Sequence, residues 1–105
     1  MSKTILIAED SSSIRKFITL ALKLQGYNVI AAQDGKEALE KLPSQKIDLL
    51  ITDLNMPNID GYKLIKTIRT DSEYKELPII ILSSLSKDED VQEGLATGAN
   101  SYLIK

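Results

Sequence analysis

Residues 47–61 read IDLLITDLNMPNIDG, and this stretch decides the fold. Its first six residues, 47–52, are almost wholly apolar, which is typical of a strand covered on both faces in a parallel sheet. Asp53 follows at once, and Pro57 and Gly61 indicate a turn before a helical pattern begins. We therefore expect a buried strand that ends at a carboxylate and is followed by a loop and a helix.

Four further apolar segments have the length of a strand. With residues 47–52, the predicted strands are residues 4–8, 27–32, 78–83 and 101–104. The predicted helices between them are residues 12–25, 35–42, 61–70 and 87–97. This alternation predicts one α/β domain over residues 1–105, a doubly wound five-stranded parallel sheet with right-handed crossovers.

The spacing of apolar residues predicts which side of each helix packs on the sheet. The predicted core-facing residues are Ile14, Phe17, Ile18 and Ala21 in the first helix, Ala38, Leu39 and Leu42 in the second, Leu64, Ile65 and Ile68 in the third, and Val91, Leu95 and Ala96 in the fourth. Ser11 or Ser12 is the predicted cap of the first helix, and Asp34 that of the second. Gly26 and Pro43 are expected to end these two helices.

Lys105 directly follows the fifth predicted strand, so no fifth helix is expected in this chain. Because both faces of the sheet need cover, we expect one face to be left with an exposed apolar patch of roughly several hundred Å². A trimmed chain, a tail beyond residue 105 or a partner would each explain it. A dimer through the uncovered face is one expected arrangement.

The composition excludes several function classes. With 13 basic and 15 acidic residues the net charge is -2, so neither nucleic acid nor a membrane is an expected direct partner. The chain has no cysteine and no histidine, which excludes disulfides, thiolate and imidazole metal ligands, and serine-histidine-aspartate triads. No apolar run suits a signal peptide or a membrane span. We predict a soluble cytoplasmic domain.

Polar side chains stand at the ends of four predicted strands: Glu9 and Asp10, Asp53, Ser83, and Lys105. The carboxyl ends of parallel strands open onto one edge, so three carboxylates, a hydroxyl and an ammonium are expected to converge. Two like charges at 4 Å repel by about 4 kcal/mol at an effective dielectric near 20, and a cation would relieve this. Oxygen ligands without sulfur or imidazole favour Mg²⁺.

The chain resembles, over its whole length, the receiver domain of two-component response regulators. The resemblance lies in Glu9-Asp10, in DLNMPNIDG over residues 53–61, in Ser83, and in Tyr102 three residues before Lys105. Single-domain chemotaxis-type receivers are the most similar, particularly through DSSSIRKF after the acidic pair. The resemblance implies the flavodoxin-like strand order 2-1-3-4-5.

The resemblance also implies the roles of the site residues. Mg²⁺ would contact Asp10, Asp53 and the backbone carbonyl of Asn55 directly, and Glu9 through water. Asp53 would be the nucleophile that takes a phosphoryl group from a sensor histidine kinase or a histidine phosphotransfer protein. Lys105 would act on a phosphoryl oxygen as a point charge.

Ser83 and Tyr102 are the implied switch residues, and they would alter the surface around the fourth helix and fifth strand. Asn55 and Leu85, two positions beyond Asp53 and Ser83, would modulate access of the hydrolytic water. We hypothesise that Leu85 shields the phosphoryl group. Such a chain catalyses its own phosphorylation and slow dephosphorylation without being a conventional turnover enzyme, and its downstream protein target is unknown.

Three other function classes are weighed. A phosphatase of the haloacid dehalogenase type needs a second aspartate two residues after the nucleophile, where this chain has Asn55. A phosphorylation-independent interaction module would bind its partner equally well after Asp53→Asn. A flavodoxin-like cofactor site is disfavoured, because the first loop is acidic and has no glycine-rich cradle.

Overall fold

A computed structural model describes residues 2–105. Its strands are β1 (Thr4–Ala8), β2 (Asn28–Ala32), β3 (Leu49–Thr52), β4 (Ile79–Ser83) and β5 (Ser101–Ile104). Its helices are α1 (Ser12–Leu24), α2 (Gly35–Lys41), α3 (Gly61–Thr70) and α4 (Asp88–Thr97), with a 3₁₀ turn at Leu42–Ser44 after α2. Within residues 2–105, no helix combines the length and apolar character that crossing a bilayer requires.

The five strands form one parallel sheet in the order β2-β1-β3-β4-β5, which confirms the predicted fold and strand order. In register, Ala8 pairs with Thr52, Thr52 with Ile81, and Ile81 with Tyr102. This row runs across β1, β3, β4 and β5 close to their carboxyl ends. The residues that follow these strands are therefore brought to one edge of the sheet.

Three predicted strands begin one or two residues later than expected. β4 starts at Ile79 because Pro78 has no amide hydrogen for strand pairing. β3 starts at Leu49, and the preceding Asp48 is bonded to Thr4 in two ways: its amide donates to the Thr4 carbonyl at 2.9 Å, and its side chain accepts from the Thr4 amide at 2.8 Å. A side chain therefore takes part in the pairing of Thr4 with Asp48 just before β3 begins.

The helix caps follow the sequence signals. Ser11 Oγ accepts from the Ile14 amide at 3.4 Å, and Asp34 Oδ1 accepts from the Glu37 amide at 2.8 Å. Gly26 has a φ of 93°, in the left-handed region that glycine tolerates best, so the chain turns there after α1. The predictions for the start and end of α1 and the start of α2 are confirmed.

The main core lies between the sheet and helices α2, α3 and α4. Its fully buried members include Leu50, Ile79 and Ile81 from the sheet and Leu64 and Ile65 from α3. The predicted inward faces of α2 and α3 are confirmed by the buried or core-packed residues Ala38, Leu39, Leu42, Leu64, Ile65 and Ile68.

The prediction for α4 was wrong. Leu95 and Ala96 are exposed and Val91 is half-buried, whereas Gly94 is the buried residue of this helix. A Cβ at position 94 would press on Ile81 and on the Tyr102 ring. The glycine therefore lets α4 approach the sheet along a side that helical spacing alone does not reveal.

The opposite side of the sheet is only partly covered. We call the open face the set formed by Leu49, Ile51 and Ile80 of the sheet together with Leu22 of α1. These residues line an open depression of about 400 Å³. Helix α1 has no buried residue, and Phe17 is 73% exposed, so the prediction that Phe17 and Ala21 face the core was wrong. Ile14 and Ile18 are half-buried. Leu20 and Leu24 of α1 are exposed as well, and the expected extent of the apolar patch stays a prediction.

Candidate functional site

The three predicted acidic residues meet at the carboxyl edge of the sheet. Glu9 and Asp10 follow β1, Asp53 follows β3, and one carboxylate oxygen from each lies within 4.8 Å of the other two. Glu9 and Asp53 are buried, whereas Asp10 is exposed. The adjacency of β1 and β3 in the sheet produces this grouping.

Lys105 joins two of these acids. Its Nζ donates to Glu9 Oε1 at 2.7 Å and to Asp53 Oδ2 at 2.8 Å, with the lysine side chain 20% exposed. The Lys105 amide donates to the Ser83 carbonyl at 2.9 Å, which holds the end of β5 beside β4. Burial lowers the pKa of Lys105, but hydrogen bonds to Asp53 and Glu9 and their negative charges outweigh it and raise the pKa above its ordinary value.

The remaining oxygens of the two buried acids accept from backbone amides. Asp53 Oδ1 accepts from the Leu54 amide at 2.7 Å, and Glu9 Oε2 accepts from the Ser11 amide at 3.1 Å. Gly61 is required nearby, because a Cβ there would overlap the carbonyl oxygen of Asp53. The loop after β3 can therefore fold back, and its Leu54 carbonyl accepts from the Gly61 amide at 2.9 Å.

Ser83, Leu85 and Tyr102 form a connected group next to the acids. Ser83 is buried, and its Oγ accepts from the Leu85 amide at 3.2 Å. The Tyr102 hydroxyl donates to the Leu85 carbonyl at 2.7 Å, while its half-buried ring lies against Gly94 of α4. The backbone of Leu85 thus connects the hydroxyl at the site with the aromatic ring on β5.

Asn55 lies two residues beyond Asp53 in the loop between β3 and α3, and its side chain is exposed. The loop around it is the segment whose backbone was expected to contribute a metal ligand. Two hydrogen bonds hold this loop: the Leu54 carbonyl accepts from the Gly61 amide, and the Asn58 side chain donates to Asp34.

The charge of the site fits a divalent cation. Glu9, Asp10 and Asp53 contribute three formal negative charges, and the ammonium of Lys105 contributes one positive charge, which leaves two negative charges. Within residues 2–105, Asp10 forms no salt bridge. Carboxylate oxygens without sulfur or imidazole are suited to a hard ion such as Mg²⁺.

Sequence reasoning missed two contacts at this edge. Arg15 Nη1 donates to the backbone carbonyls of Glu9, at 2.7 Å, and Asp10, at 3.4 Å. A side chain of α1 therefore stabilises the backbone of the acidic pair. Asn58 Nδ2 donates to Asp34 Oδ2 at 2.8 Å. The sequence has no signal for the first contact; the Pro57-Asn58 pair indicates a turn but does not name its partner.

Comparison with known proteins assigns the family. A family model described as "Response regulator receiver domain" matches residues 5–105. The chain belongs to this family. Receiver domains are phosphorylation-activated switches of two-component signalling: they bind Mg²⁺ at an acidic pocket, take phosphoryl groups from histidine kinases and act on downstream targets.

Individual relatives agree with this assignment. The response regulator GtcR of Aneurinibacillus migulanus is 44% identical over 105 residues, which are all of this chain but only 42% of GtcR. The chain thus spans less than half of that longer relative. Among solved structures, chemotaxis protein CheY4 of Vibrio cholerae has a TM-score of 0.94 at 39% identity, covering 100% of this chain and 88% of CheY4. The predicted likeness to chemotaxis-type receivers is confirmed.

A third similar structure is the Mn²⁺-bound form of response regulator Rcp1. It has a TM-score of 0.88 at 28% identity and covers 98% of this chain and 81% of that one. A response regulator that shares this fold has therefore been solved with a divalent metal bound.

Proposed function

We propose that this receiver domain accepts a phosphoryl group on Asp53 from the phosphohistidine of a sensor kinase or a phosphotransfer protein. One observation carries the proposal: Lys105 Nζ lies 2.8 Å from Asp53 Oδ2 in a pocket where Glu9 and Asp10 place two more carboxylates. This arrangement combines a carboxylate nucleophile, a mobile positive charge and a set of hard oxygen ligands.

Phosphorylation would proceed by attack of an Asp53 carboxylate oxygen on phosphorus. The new P–O bond forms as the P–N bond of the donor breaks, and the electron pair of that bond stays on the imidazole nitrogen, which takes up a proton. Both Asp53 oxygens accept hydrogen bonds, one from Leu54 and one from Lys105. In the proposed transfer, Lys105 moves from Oδ2 to a phosphoryl oxygen, where its charge would stabilise the transition state.

Hydrolysis would reverse the modification. The oxygen of a water molecule attacks phosphorus, the P–O bond to Asp53 breaks, and inorganic phosphate leaves while one water proton passes to the solvent. Leu85 is half-buried and its amide donates to Ser83 Oγ, so this residue lies beside the hydroxyl that would face the phosphoryl group. We propose that Leu85 and the exposed Asn55 set the lifetime of the phosphoryl group.

The Mg²⁺ ligands in this proposal are Asp10, Asp53 and the Asn55 carbonyl, with Glu9 acting through water. The indirect role of Glu9 is taken from the family resemblance; its two oxygens accept hydrogen bonds from Lys105 and from the Ser11 amide. When bound, Mg²⁺ would neutralise charge on the carboxylates and on the transferring phosphoryl group. The Mn²⁺-bound form of the similar Rcp1 supports the binding of a divalent ion by this fold.

The output would begin at Ser83. When its hydroxyl turns to a phosphoryl oxygen, the hydrogen bond from the Leu85 amide is given up, and the Leu85 carbonyl that holds Tyr102 can move with it. The ring of Tyr102 lies on Gly94, so a shift of the ring changes the surface of α4 and β5. The kinase, the downstream target and the cytoplasmic location stay predictions.

The test is Mg²⁺-dependent labelling by a small phosphodonor. The wild-type chain is incubated with acetyl phosphate and Mg²⁺, and the intact mass is expected to rise by one phosphoryl group. Asp53→Asn should show no adduct, and a chelator should prevent it in the wild type. Asp48→Asn is the matched control, since Asp48 lies at the other end of β3 and should leave labelling unchanged.

Partner binding separates this function from the interaction-module alternative. If Asp53→Asn binds a downstream protein as tightly as the phosphorylated wild type does, phosphorylation is not the switch and the proposal fails. The haloacid dehalogenase alternative has no support from the site, because the side chain two residues after Asp53 is an amide.

A further inference from the structure

The loop between β3 and α3 is tied to a second loop that the proposed chemistry does not use. Asn58 Nδ2 donates to Asp34 Oδ2 at 2.8 Å, across 24 residues of sequence, and we call this hydrogen bond the Asn58–Asp34 link. Asn58 belongs to the loop that carries Asn55, whereas Asp34 precedes α2. The link therefore joins the phosphorylation loop to an element that contributes no residue to the acidic pocket.

The chemistry of the link is specific to both residues. A carboxylate only accepts hydrogen bonds, so the Asn58 group that faces Asp34 must be its amide NH₂. Asn58 also has a φ of 66°, a left-handed conformation that asparagine, aspartate and glycine tolerate better than other residues. Position 58 thus demands both a backbone conformation and a side-chain donor.

Asp34 is held firmly enough to act as an anchor. It is buried, and its other oxygen, Oδ1, accepts from the Glu37 amide at 2.8 Å as the cap of α2. The hydrogen bond from the Glu37 amide, followed by that from Asn58, lowers the pKa of Asp34 below its ordinary value. Asp34 therefore stays charged and bound at neutral pH.

A second contact brings the same two loops together. Gly35 follows Asp34, and a Cβ at Gly35 would overlap the carbonyl oxygen of Ile59, the residue after Asn58. Ile59 also packs against the core. The close approach of the two backbones is consistent with a fixed position for the loop at Asn58.

We propose that Asn58 and Asp34 are positioning residues that hold the Asn55 carbonyl toward the acidic pocket and so strengthen Mg²⁺ binding. This rests on the proposed function. Asn55 lies between two anchored residues: Leu54, whose carbonyl accepts from the Gly61 amide, and Asn58, held by Asp34. A ligand that is already ordered loses less conformational entropy when the ion binds. Loss of outer contacts to metal ligands weakens affinity 10- to 100-fold in proteins, and we expect about 10-fold here.

Two single variants break the link in different loops. Asn58→Gly keeps the left-handed backbone conformation but removes the amide donor. Asp34→Ser keeps a helix cap but is too short to reach Asn58. Asp34→Ser leaves the sequence of the phosphorylation loop unchanged. If both variants weaken Mg²⁺ binding equally, the cause is therefore the lost hydrogen bond and not a more flexible backbone at position 58.

Two further variants are controls. Asp34→Asn removes the same negative charge as Asp34→Ser, but the introduced amide can cap α2 and pair with a flipped Asn58 amide, so Mg²⁺ affinity should stay near that of the wild type. The double variant Asp34→Asn with Asn58→Asp exchanges donor and acceptor at constant net charge. Aspartate tolerates the left-handed conformation, so the exchange should restore the link and the affinity.

The measurement is Mg²⁺ affinity by calorimetry without phosphodonor, together with amide hydrogen exchange at Asn55 and Met56. We expect the two link-breaking variants to bind Mg²⁺ about 10-fold more weakly, to exchange these amides faster, and to reach the wild-type labelling rate at saturating Mg²⁺. Wild-type Mg²⁺ affinity in both link-breaking variants would overturn the inference. An unchanged Mg²⁺ affinity with a lower labelling rate at saturating Mg²⁺ would also overturn it. So would a double variant that fails to restore Mg²⁺ binding. Absence of Mg²⁺ binding in the wild type overturns the proposed function as well, so the two failures are distinguishable.

Discussion

The hydroxyl of Tyr102 donates a 2.7 Å hydrogen bond to the backbone carbonyl of Leu85. The Leu85 amide in turn donates to Ser83 Oγ, so one residue's backbone bonds both to the end of β4 and to the side chain of Tyr102 on β5. In the proposed switch, this connection would carry a change at the Ser83 hydroxyl to the Tyr102 ring. It also defines a bond that can be removed without disturbing the acidic pocket.

Tyr102→Phe removes this hydrogen bond and keeps the ring. We expect the free energy of unfolding to fall by about 1 kcal/mol, because the Leu85 carbonyl loses its partner. Urea denaturation measures the change, and Tyr27→Phe is the control, since Tyr27 is 40% exposed and, within residues 2–105, its hydroxyl has no hydrogen-bond partner. Equal effects of the two substitutions would show that the Tyr102 hydroxyl contributes nothing to stability.

Lys105 should stabilise the fold in a pH-dependent way. Its pKa in the folded chain is raised, so its contribution is complete below about pH 10.5, the ordinary lysine value, and is lost as pH rises through the higher folded pKa. The stability difference between wild type and Lys105→Met, from urea midpoints, should therefore shrink above pH 10.5. Lys23→Met, at the exposed end of α1, should show no such trend. A constant difference for Lys105→Met at all pH values would contradict the prediction.

Asp34 should show the opposite dependence. Its pKa is lowered from 3.8, so its contribution to stability is present above that pH and is lost as pH falls through the folded value. At pH 7, Asp34→Ala should cost about 1 kcal/mol through loss of the cap of α2. Urea denaturation at pH 7 and near pH 3 measures the difference, which should be smaller in acid. A cost that increases in acid would reverse the sign and refute the assignment.

The two sides of the sheet should respond differently to truncation. Ile81 is fully buried, and Ile81→Ala should cost about 2–5 kcal/mol. Phe17 is 73% exposed on α1, and Phe17→Ser should change stability by less than about 0.5 kcal/mol. Both are read from chemical denaturation of the 105-residue chain. A loss above 2 kcal/mol for Phe17→Ser would mean that this ring is buried in solution.

Leu85→Ser tests the proposed shield over the phosphoryl group. We expect dephosphorylation on the order of tenfold faster, which corresponds to about 1.4 kcal/mol in the barrier. The decay of the phosphorylated species is followed by intact mass after the donor is removed. Leu95→Ser, at an exposed position of α4, is the control and should leave the lifetime unchanged. An unaltered lifetime in Leu85→Ser would eliminate the shielding role.

Local sequence signals predicted the elements well. The apolar run TILIA of β1, the cap at Ser11 and the turn at Gly26 each act within a few residues, so their effect can be read from the chain. Helical spacing also shows which residues share one side of a helix, but it does not show whether anything covers that side. The errors at Phe17 and Leu95 arise from this difference.

The site was predictable to the extent that it depends on strand ends. Once the resemblance supplied the strand order, the grouping of Glu9, Asp53 and Lys105 followed from the parallel sheet. The Asn58–Asp34 link did not follow, because its partners are 24 residues apart and belong to loops whose paths are fixed only by packing. Contacts of this kind depend on tertiary placement.

The paired row from Ala8 through Thr52 and Ile81 to Tyr102 has a kinetic consequence. The strands stay hydrogen-bonded almost to the last residue before the pocket, so the proposed movement of Ser83, Leu85 and Tyr102 would involve side chains and a loop and would keep the strand pairing. Rotamer changes take picoseconds to nanoseconds and loop motions nanoseconds to microseconds. In the proposed switch, phosphoryl transfer and partner encounter would then be slow steps compared with these local motions.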